Sequence, residues 1–295
     1  MSSAPSAPVG LPAGGRLDTG LACGGALRWV AAELTQPLEE ARRRLDLSPI
    51  GAVALGRSLA GAALLQRISL KTPSRVILEV MGDGPLGKVI AESDERGRLR
   101  GMVGSPRLPT PEDGRMRIAP LVGRGMLRVT REGERRSYVS QVELVSGELG
   151  DDLTHYLEQS EQIRSAVLLG VLPRPAGIAA AGGLVVEALP GADEEVVDRL
   201  EENLRVLEGV SFHLERGGAG ALTAAVLQGL DPEPRDSLPL EYRCRCSREK
   251  LLARLRPLAT EDLPALVDGA RECEAICAFC GARYLYTAAE LLSED

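Results

Sequence analysis

Residues 244–246 read Cys-Arg-Cys and residues 277–280 read Cys-Ala-Phe-Cys, with thirty residues between the two pairs. Two short cysteine pairs on separate turns supply the four ligands of a tetrahedral Zn²⁺ site, in which each sulfur lies about 2.3 Å from the metal. The chain has only two histidines, His155 and His213, and neither is close to this cluster in sequence. We therefore expect one zinc ion held by Cys244, Cys246, Cys277 and Cys280.

The same four sulfurs have a second chemistry. If oxidised, each pair can close on itself as a disulfide, and a disulfide sulfur no longer acts as a thiolate ligand. A fifth thiol, Cys273, lies four residues before Cys277, and it is either a bystander or an alternative ligand or disulfide partner. Five of the six cysteines fall between residues 244 and 280. A secreted scaffold spreads its cysteines through a short chain, so this clustering favours a cytoplasmic zinc or redox site.

The overall composition excludes several classes of protein. The chain has 295 residues, is 44% hydrophobic and carries a formal net charge of -7, which argues against a protein whose main role is to coat nucleic acid. No run of apolar residues is long enough to predict a membrane span. Residues 1–20 begin with a stretch rich in Ser, Ala, Pro and Gly, for which we expect a disordered leader and not a signal peptide.

The hydrophobic pattern predicts an α+β fold. Residues 21–190 are expected to form an N-terminal domain of mixed sheet and helices. Its predicted helices begin after Thr35, span residues 48–66 and begin again at Gly150. Its predicted strands cover residues 26–33, 75–81, 87–92, 99–103, 126–131, 138–144, 165–172 and 177–189.

Residues 191–240 are predicted to form a helical linker. A charged amphipathic helix spans residues 192–209, and a shorter helix spans residues 221–227. The breaker-rich sequence Asp-Pro-Glu-Pro at residues 231–234 leads to a small zinc-binding domain, residues 241–295. That domain contains four of the eight aromatic residues of the chain, which we expect to build a small core around the metal: Tyr242, Phe279, Tyr284 and Tyr286.

Two other motifs are interpreted structurally. Residues 82–88 have the spacing of a phosphate-binding loop, but Val89 stands where a Ser or Thr should hold Mg²⁺, and a strand follows where a helix is required. A hairpin turn is the better interpretation. His155 and His213 have no positioned nucleophile beside them, and no catalytic residue is expected: the chain is predicted not to be an enzyme.

The cysteine motifs also carry a family resemblance. Residues 244–249, Cys-Arg-Cys-Ser-Arg-Glu, with Cys-Ala-Phe-Cys-Gly at residues 277–281 and Tyr284 beyond them, resemble the heat-shock protein thirty-three family of redox-regulated holdase chaperones. Further similar stretches follow in the order of the family, at residues 40–44, 48–49, 55–57, 82–87, 144–148, 160–162 and 200–204.

The resemblance implies a protein that is inactive while it is reduced and zinc-bound. Oxidation would join Cys244 to Cys246 and Cys277 to Cys280, release zinc and expose a surface that binds unfolding client proteins without ATP. It also implies cytoplasmic action in oxidative stress and a homodimer in the oxidised state. The ring closed by Cys244 and Cys246 should be strained and easily reduced, which makes the switch reversible. We expect the helix of residues 192–209 to rest on the core and the metal module and to be freed on oxidation.

Two other functions are compatible with the cysteine spacing. A zinc-ribbon protein that binds nucleic acid requires a basic face, but residues 241–295 contain eight basic and ten acidic residues. A thiol oxidoreductase that uses Cys277 and Cys280 requires a Cys-x-x-Cys pair that is free of metal at the start of a helix. Nucleic acid and a membrane are therefore not expected as partners.

Overall fold

The computed structural model describes residues 14–68, 74–133, 135–266 and 272–292, and its mixture of helices and strands confirms the α+β class. The strands in this part of the chain are β1 (Gly15–Ala22), β2 (Leu27–Glu33), β3 (Arg75–Gly82), β4 (Val89–Asp94), β5 (Arg98–Val103), β6 (Gly125–Glu132), β7 (Ser137–Glu143), β8 (Ser165–Arg174), β9 (Gly177–Ala188), β10 (Glu233–Tyr242), β11 (Glu272–Ile276) and β12 (Arg283–Thr287). The α-helices are α1 (Thr35–Leu45), α2 (Pro49–Ile68), α3 (Ala119–Val122), α4 (Leu149–Tyr156), α5 (Glu194–Arg205), α6 (Val210–Val226), α7 (Arg248–Leu266) and α8 (Ala288–Leu292).

Ten of the strands form one sheet in the order β7-β6-β3-β4-β5-β10-β1-β2-β9-β8. Its neighbours are antiparallel except for β10 and β5, which are parallel and pair only at Glu241 and Tyr242. Strands β11 and β12 form a separate antiparallel pair. Strand β10 therefore joins two halves of the large sheet that make no other strand pairing with each other in the described chain.

The main core lies where the sheet curls around α2. This helix is buried on nearly every side, as its Ala, Leu, Ile and Val residues dictate, and it contacts strands from both halves of the sheet. The predicted start at Ser48 is confirmed, because its hydroxyl accepts a hydrogen bond from the amide of Gly51 at 3.3 Å. The predicted hairpin turn at residues 82–88 is also confirmed, since it joins β3 to β4.

A second apolar cluster lies where α5 and α6 cover β2 and β9. The predicted amphipathic helix is α5, with Val197 and Leu200 buried, and Leu200 packs in a cluster that includes Trp29 of β2 and Leu222 of α6. Every member of this cluster comes from residues 22–230. The expectation that the helix rests on the core is confirmed. Among the described residues, its apolar stripe packs on the sheet and α6, and that cluster includes no residue of the C-terminal cysteine region.

Helix α6 is longer than the predicted helix at residues 221–227. The sequence Gly217-Gly218 interrupts it, and Gly218 has φ +66°, so the element consists of two helical segments across a kink. In the sequence, two adjacent glycines predict the end of a helix. Here the helix continues across a kink, because the start of its second segment is hydrogen-bonded to a side chain of β2. The amide of Ala219 donates to the buried Glu33 carboxylate at 2.9 Å.

Two strands differ from the sequence-based expectations. Residues 15–20, which we expect in the disordered leader, belong to β1, while residues 1–13 lie outside the described residues. Residues 233–240, which we expect in the helical linker, belong to β10. The two strands pair with each other across more than two hundred residues of sequence, so neither is supported by a local signal. The domain boundaries themselves stay a prediction.

Candidate metal centre

The four cysteines follow the ends of two strands. Cys244 and Cys246 lie between β10 and α7, and Cys277 and Cys280 lie in the turn between β11 and β12. We call the chain after β10 the four-cysteine module, described for residues 243–266 and 272–292. Strand β10 is held in the large sheet, so the segment with Cys244 and Cys246 that follows it is fixed to the core. Strands β11 and β12 pair with each other and form a separate hairpin, which carries Cys277 and Cys280.

The second pair sits in a tight turn. The amides of Cys280 and Gly281 both donate to the carbonyl of Cys277, at 3.2 and 2.8 Å, and the amide of Cys277 donates to the carbonyl of Ala282. Gly281 has φ +69°, and a Cβ atom at this position would lie 2.3 Å from the carbonyl oxygen of Arg44 at the end of α1. Glycine is required there both for the turn and for its close approach to the core.

The sulfur positions fit a tetrahedral metal. All four Sγ atoms lie within 4.8 Å of one another. The Sγ atoms of Cys244 and Cys277 are 3.8 Å apart, and those of Cys246 and Cys280 are 3.4 Å apart. Four sulfurs about 2.3 Å from one zinc ion would be separated by about 3.8 Å, so the cluster needs little adjustment to bind it. All six cysteines of the chain are free thiols in this structure.

Hydrogen bonding favours the thiolate at one position. Burial acts to raise the pKa of Cys246, but hydrogen bonds from Tyr284 and from the other three cysteines outweigh it and hold this pKa below its usual range. The Tyr284 hydroxyl lies 3.2 Å from the sulfur. That same hydrogen bond, together with desolvation, raises the pKa of Tyr284, which therefore stays a donor. Cys246 is consequently prepared to carry negative charge.

The pKa values of Cys277 and Cys280 are shifted in the opposite direction. Burial raises the pKa of Cys277, with a further contribution from the negative charge of Cys244, and burial also raises the pKa of Cys280. Thiols with raised pKa values are weak nucleophiles on their own, whereas coordination to a dication deprotonates them. A thiol oxidoreductase requires such a pair at the start of a helix. Cys277 and Cys280 lie instead in a turn between two strands.

The remaining chemistry-bearing residues lie elsewhere. Cys273 is in β11 opposite Tyr286 and packs in the apolar cluster of the module, outside the four-sulfur group. Cys23 donates to the carbonyl of Leu230 at 3.4 Å. His155 is in α4, and His213 is in α6 against the ring of Phe212.

The aromatic residues divide into two groups. Tyr284 and the fully buried Tyr286 belong to the apolar cluster of the module, as expected. Tyr242 packs instead in the main core, and its hydroxyl lies within hydrogen-bond distance of two carbonyl oxygens, those of Gly101 and Phe279. The expected aromatic core around the metal therefore consists of two tyrosines, while Tyr242 and Phe279 connect the module to the core.

Sequence reasoning missed the charged residues at this junction. Arg245, between the first two cysteines, donates a hydrogen bond to Glu92 of β4. Glu92 also accepts from Arg100 of β5 at 2.7 Å, and the Arg100 guanidinium lies 4.5 Å from the centre of the Phe279 ring. An acidic residue in a strand gives no sign that it is buried. The available signal was Arg245 itself, a large cation enclosed by two candidate ligands.

None of the helices in the described chain is both long enough and apolar enough to cross a membrane.

Comparison with known proteins agrees with these features. A family model described as Hsp33 protein matches residues 16–287. The 33 kDa chaperonin of one strain of Thermus thermophilus is 47% identical over 296 residues, covering 95% of this chain and 86% of its own. The 33 kDa chaperonin of Deinococcus radiodurans is 39% identical over 285 residues, covering 94% and 96%. The crystal structure of the 33 kDa chaperonin of Thermotoga maritima, described as a heat shock protein 33 homolog, superposes with a TM-score of 0.85 at 33% identity, covering 94% of this chain and 96% of that one.

Proposed function

This chain belongs to the Hsp33 family of chaperones, and we propose that it is a redox-regulated, ATP-independent holdase that acts in the cytoplasm and is inactive while reduced and zinc-bound. The observation that carries the proposal is the convergence of four cysteine sulfurs within 4.8 Å in a module whose described side chains form only a small apolar cluster. Its proposed ligands are Cys244, Cys246, Cys277 and Cys280.

The module depends on its sulfur cluster for stability. Its apolar cluster has two buried members, Tyr286 and Leu291, with partly buried neighbours around them. When bound, zinc supplies on the order of 10–16 kcal/mol of apparent binding free energy in small domains of this kind. Two buried side chains contribute roughly 3–6 kcal/mol. Loss of the thiolate ligands is therefore expected to unfold the module.

The oxidation balances with a peroxide, the oxidant used in the test below. Four thiolate sulfurs give up four electrons, two S–S bonds form, and two molecules of peroxide lose their O–O bonds. Four protons are taken up from solvent and four water molecules leave. We propose the pairs Cys244–Cys246 and Cys277–Cys280, which the family resemblance implies. The sulfurs of different pairs are also close, with Cys244 at 3.8 Å from Cys277 and Cys246 at 3.4 Å from Cys280. All four lie within 4.8 Å of one another, so either set of disulfides requires the sulfurs to move closer together.

The client surface is proposed to be the face of β2 and β9 under α5 and α6, with the apolar stripe of α5. Leu200 and Trp29 lie in this buried cluster, and exposure of such a patch is typical of a site for unfolded chains. The chain runs from α6 directly into β10 and then into the first two cysteines. Unfolding of the module removes the contact between Tyr242 and Phe279 that holds the end of β10, which gives the change a continuous route to α6. Partners are unfolding proteins and, in the oxidised state, a second copy of the chain.

The test combines metal, thiol and activity measurements on the full chain. Zinc content, free thiols and suppression of the aggregation of an unfolded test protein are measured before and after peroxide treatment. Peptide mapping of the oxidised sample identifies the disulfide pairs. We expect one zinc and four thiols to be lost together, with suppression only after oxidation. Zinc retained after complete oxidation, or suppression equal in both states, would contradict the proposal.

A further inference from the structure

The four-cysteine module is attached to the core mainly through polar contacts. As far as the structure describes its side chains, its apolar cluster contains no residue of the large sheet or of α1 to α6. The contacts between the two parts instead form a strip that we call the docking seam. Its members on the core side are Arg44, Glu92, Arg100 and Gly101, and those at the end of β10 and in the module are Tyr242, Arg245, Phe279 and Gly281.

Glu92 is the charged centre of this seam. It lies in β4 with a side chain that is only 6% exposed, and three arginines surround it. Arg100 and Arg245 donate hydrogen bonds to its two oxygens, and Arg75 lies 3.6 Å away. Arg75 is also paired with Glu132, and Asp94, which attracts Arg245 as well, is paired with Arg98. Glu92 is therefore the carboxylate to which both Arg100 and Arg245 donate.

The sulfurs supply a further negative charge in the reduced state. Arg245 stands between Cys244 and Cys246, and Arg100 interacts electrostatically with the side chain of Cys244. Four thiolates around one dication have a formal net charge of about −2, and two disulfides have none. The reduced site therefore attracts the Arg100 guanidinium, and the oxidised site does not.

Resting on the proposed function, we propose that Glu92 is a positioning residue, which joins Arg245 of the four-cysteine module to Arg100 of the core sheet, so that the core sheet holds the charged, reduced module more firmly than the neutral, oxidised one. Glu92 itself never contacts a sulfur in this scheme. It keeps two long, flexible cations in place by charge-assisted hydrogen bonds, and Arg100 then responds to the charge of the sulfurs.

The test uses the reduced, zinc-loaded full chain and amide hydrogen exchange. The reporters are the amides of Glu241 and Arg243, which donate to the carbonyls of Gly97 and Leu99 and close the seam on β10. In Glu92→Gln, exchange at these two amides should rise about tenfold or more, the factor expected when a charge-assisted hydrogen bond is lost. Zinc and free thiols should remain at wild-type values.

The matched control is Glu79→Gln. Glu79 lies in β3 of the same sheet, is 13% exposed and pairs with Lys88 and Arg128, away from the module. Its variant should leave the two reporter amides unchanged. Raising the salt concentration should speed exchange at the reporters in the wild type and have little further effect in Glu92→Gln, which a purely steric role of Glu92 would not produce.

A second variant keeps the proposal testable if Glu92→Gln does not fold. Arg245→Gln changes a side chain that is 29% exposed, and it removes the same hydrogen bond from the module side. It should accelerate the same two amides, and the double variant should be no faster than the faster single variant. Wild-type exchange in Arg245→Gln, or fully additive effects, would overturn the proposal.

These outcomes are separable from those of the proposed function. If the wild-type chain binds no zinc or gains no holdase activity on oxidation, the proposed function fails whatever Glu92 does. If the wild type switches normally while both seam variants exchange like the wild type, only the role of Glu92 is refuted.

Discussion

The hydroxyl of Tyr284 lies 3.2 Å from the sulfur of Cys246 and so connects β12 to the cysteine pair that follows β10. A hydrogen bond to a sulfur ligand stabilises its negative charge and orients it, and loss of such a partner typically weakens metal binding about 10- to 100-fold. We expect Tyr284→Phe to bind zinc about tenfold more weakly, measured by competition with a chromogenic chelator. Tyr286→Phe is the control, because the Tyr286 hydroxyl donates to the carbonyl of Arg248 and not to sulfur. Equal affinities in all three proteins would contradict the role of Tyr284.

The assignment of four ligands among six cysteines makes a separate prediction. Replacement of any one of Cys244, Cys246, Cys277 or Cys280 by Ser should reduce zinc from one ion per chain to none, because three thiolates do not complete a structural site. Amide protection in β11 and β12 should be lost with the metal.

Cys23→Ser and Cys273→Ser are the matched controls for this series. Cys23 and Cys273 lie outside the four-sulfur group, so both variants should keep one zinc and the protection of the hairpin, measured by elemental analysis and hydrogen exchange. Loss of zinc from Cys273→Ser would instead identify Cys273 as a ligand.

The single tryptophan reports on the covering helices. Trp29 is 3% exposed and lies in the cluster formed with α5 and α6. If oxidation frees these helices, its fluorescence emission should shift to longer wavelength together with the gain in aggregation suppression. The shift should reverse when the protein is reduced in the presence of zinc. Suppression that develops while the Trp29 emission stays constant would place the client surface elsewhere.

Glu33 should make stability depend on pH. Burial raises its pKa above 4.5, against hydrogen bonds from Thr35 and Ala219 and the attraction of Arg16. The folded protein thus binds this proton more tightly than the unfolded chain, and stability falls as pH rises from about 4.5 through the folded-state pKa. Relative to the wild type, Glu33→Gln should gain unfolding free energy over that interval, measured by urea denaturation at several pH values.

Glu39→Gln is the control, because the pKa of Glu39 is shifted in the opposite direction to that of Glu33. The hydrogen bond from Arg42 lowers the pKa of Glu39, so the charged group contributes stability at neutral pH that is lost as pH falls through the lowered pKa. This variant should lose stability relative to the wild type as pH rises. Parallel pH profiles for the wild type and both variants would contradict the assigned shifts.

The sequence predicted most of the fold because most elements have local signals. The helix from Ser48, the strands of the meander and the charged helix α5 all follow from periodicity and capping. The four cysteines were identified by spacing alone, and the structure brings their sulfurs together. These features share one property: each is visible within a short window of sequence.

The elements that were missed depend on distant partners. Strand β10 contains Pro234 and Pro239, which argue against a strand inside a sheet because proline has no amide to donate. The structure resolves the conflict, since β10 pairs with β5 only at its last two residues and residues 233–240 therefore have one free side. The burial of Glu92 has the same origin, because its arginine partners come from β3, from β5 and from the segment between β10 and α7.

The central place of β10 has a consequence for synthesis of the chain. Strands β1, β2, β8 and β9 on one side and β3 to β7 on the other are complete before residue 233 leaves the ribosome, yet the strand that joins the two half-sheets comes only afterwards. Until then β1 and β5 present unpaired edges, and pairing over so many residues is slow. The nascent chain is thus itself prone to aggregation, and it closes its sheet just before the first two cysteines of the four-cysteine module emerge.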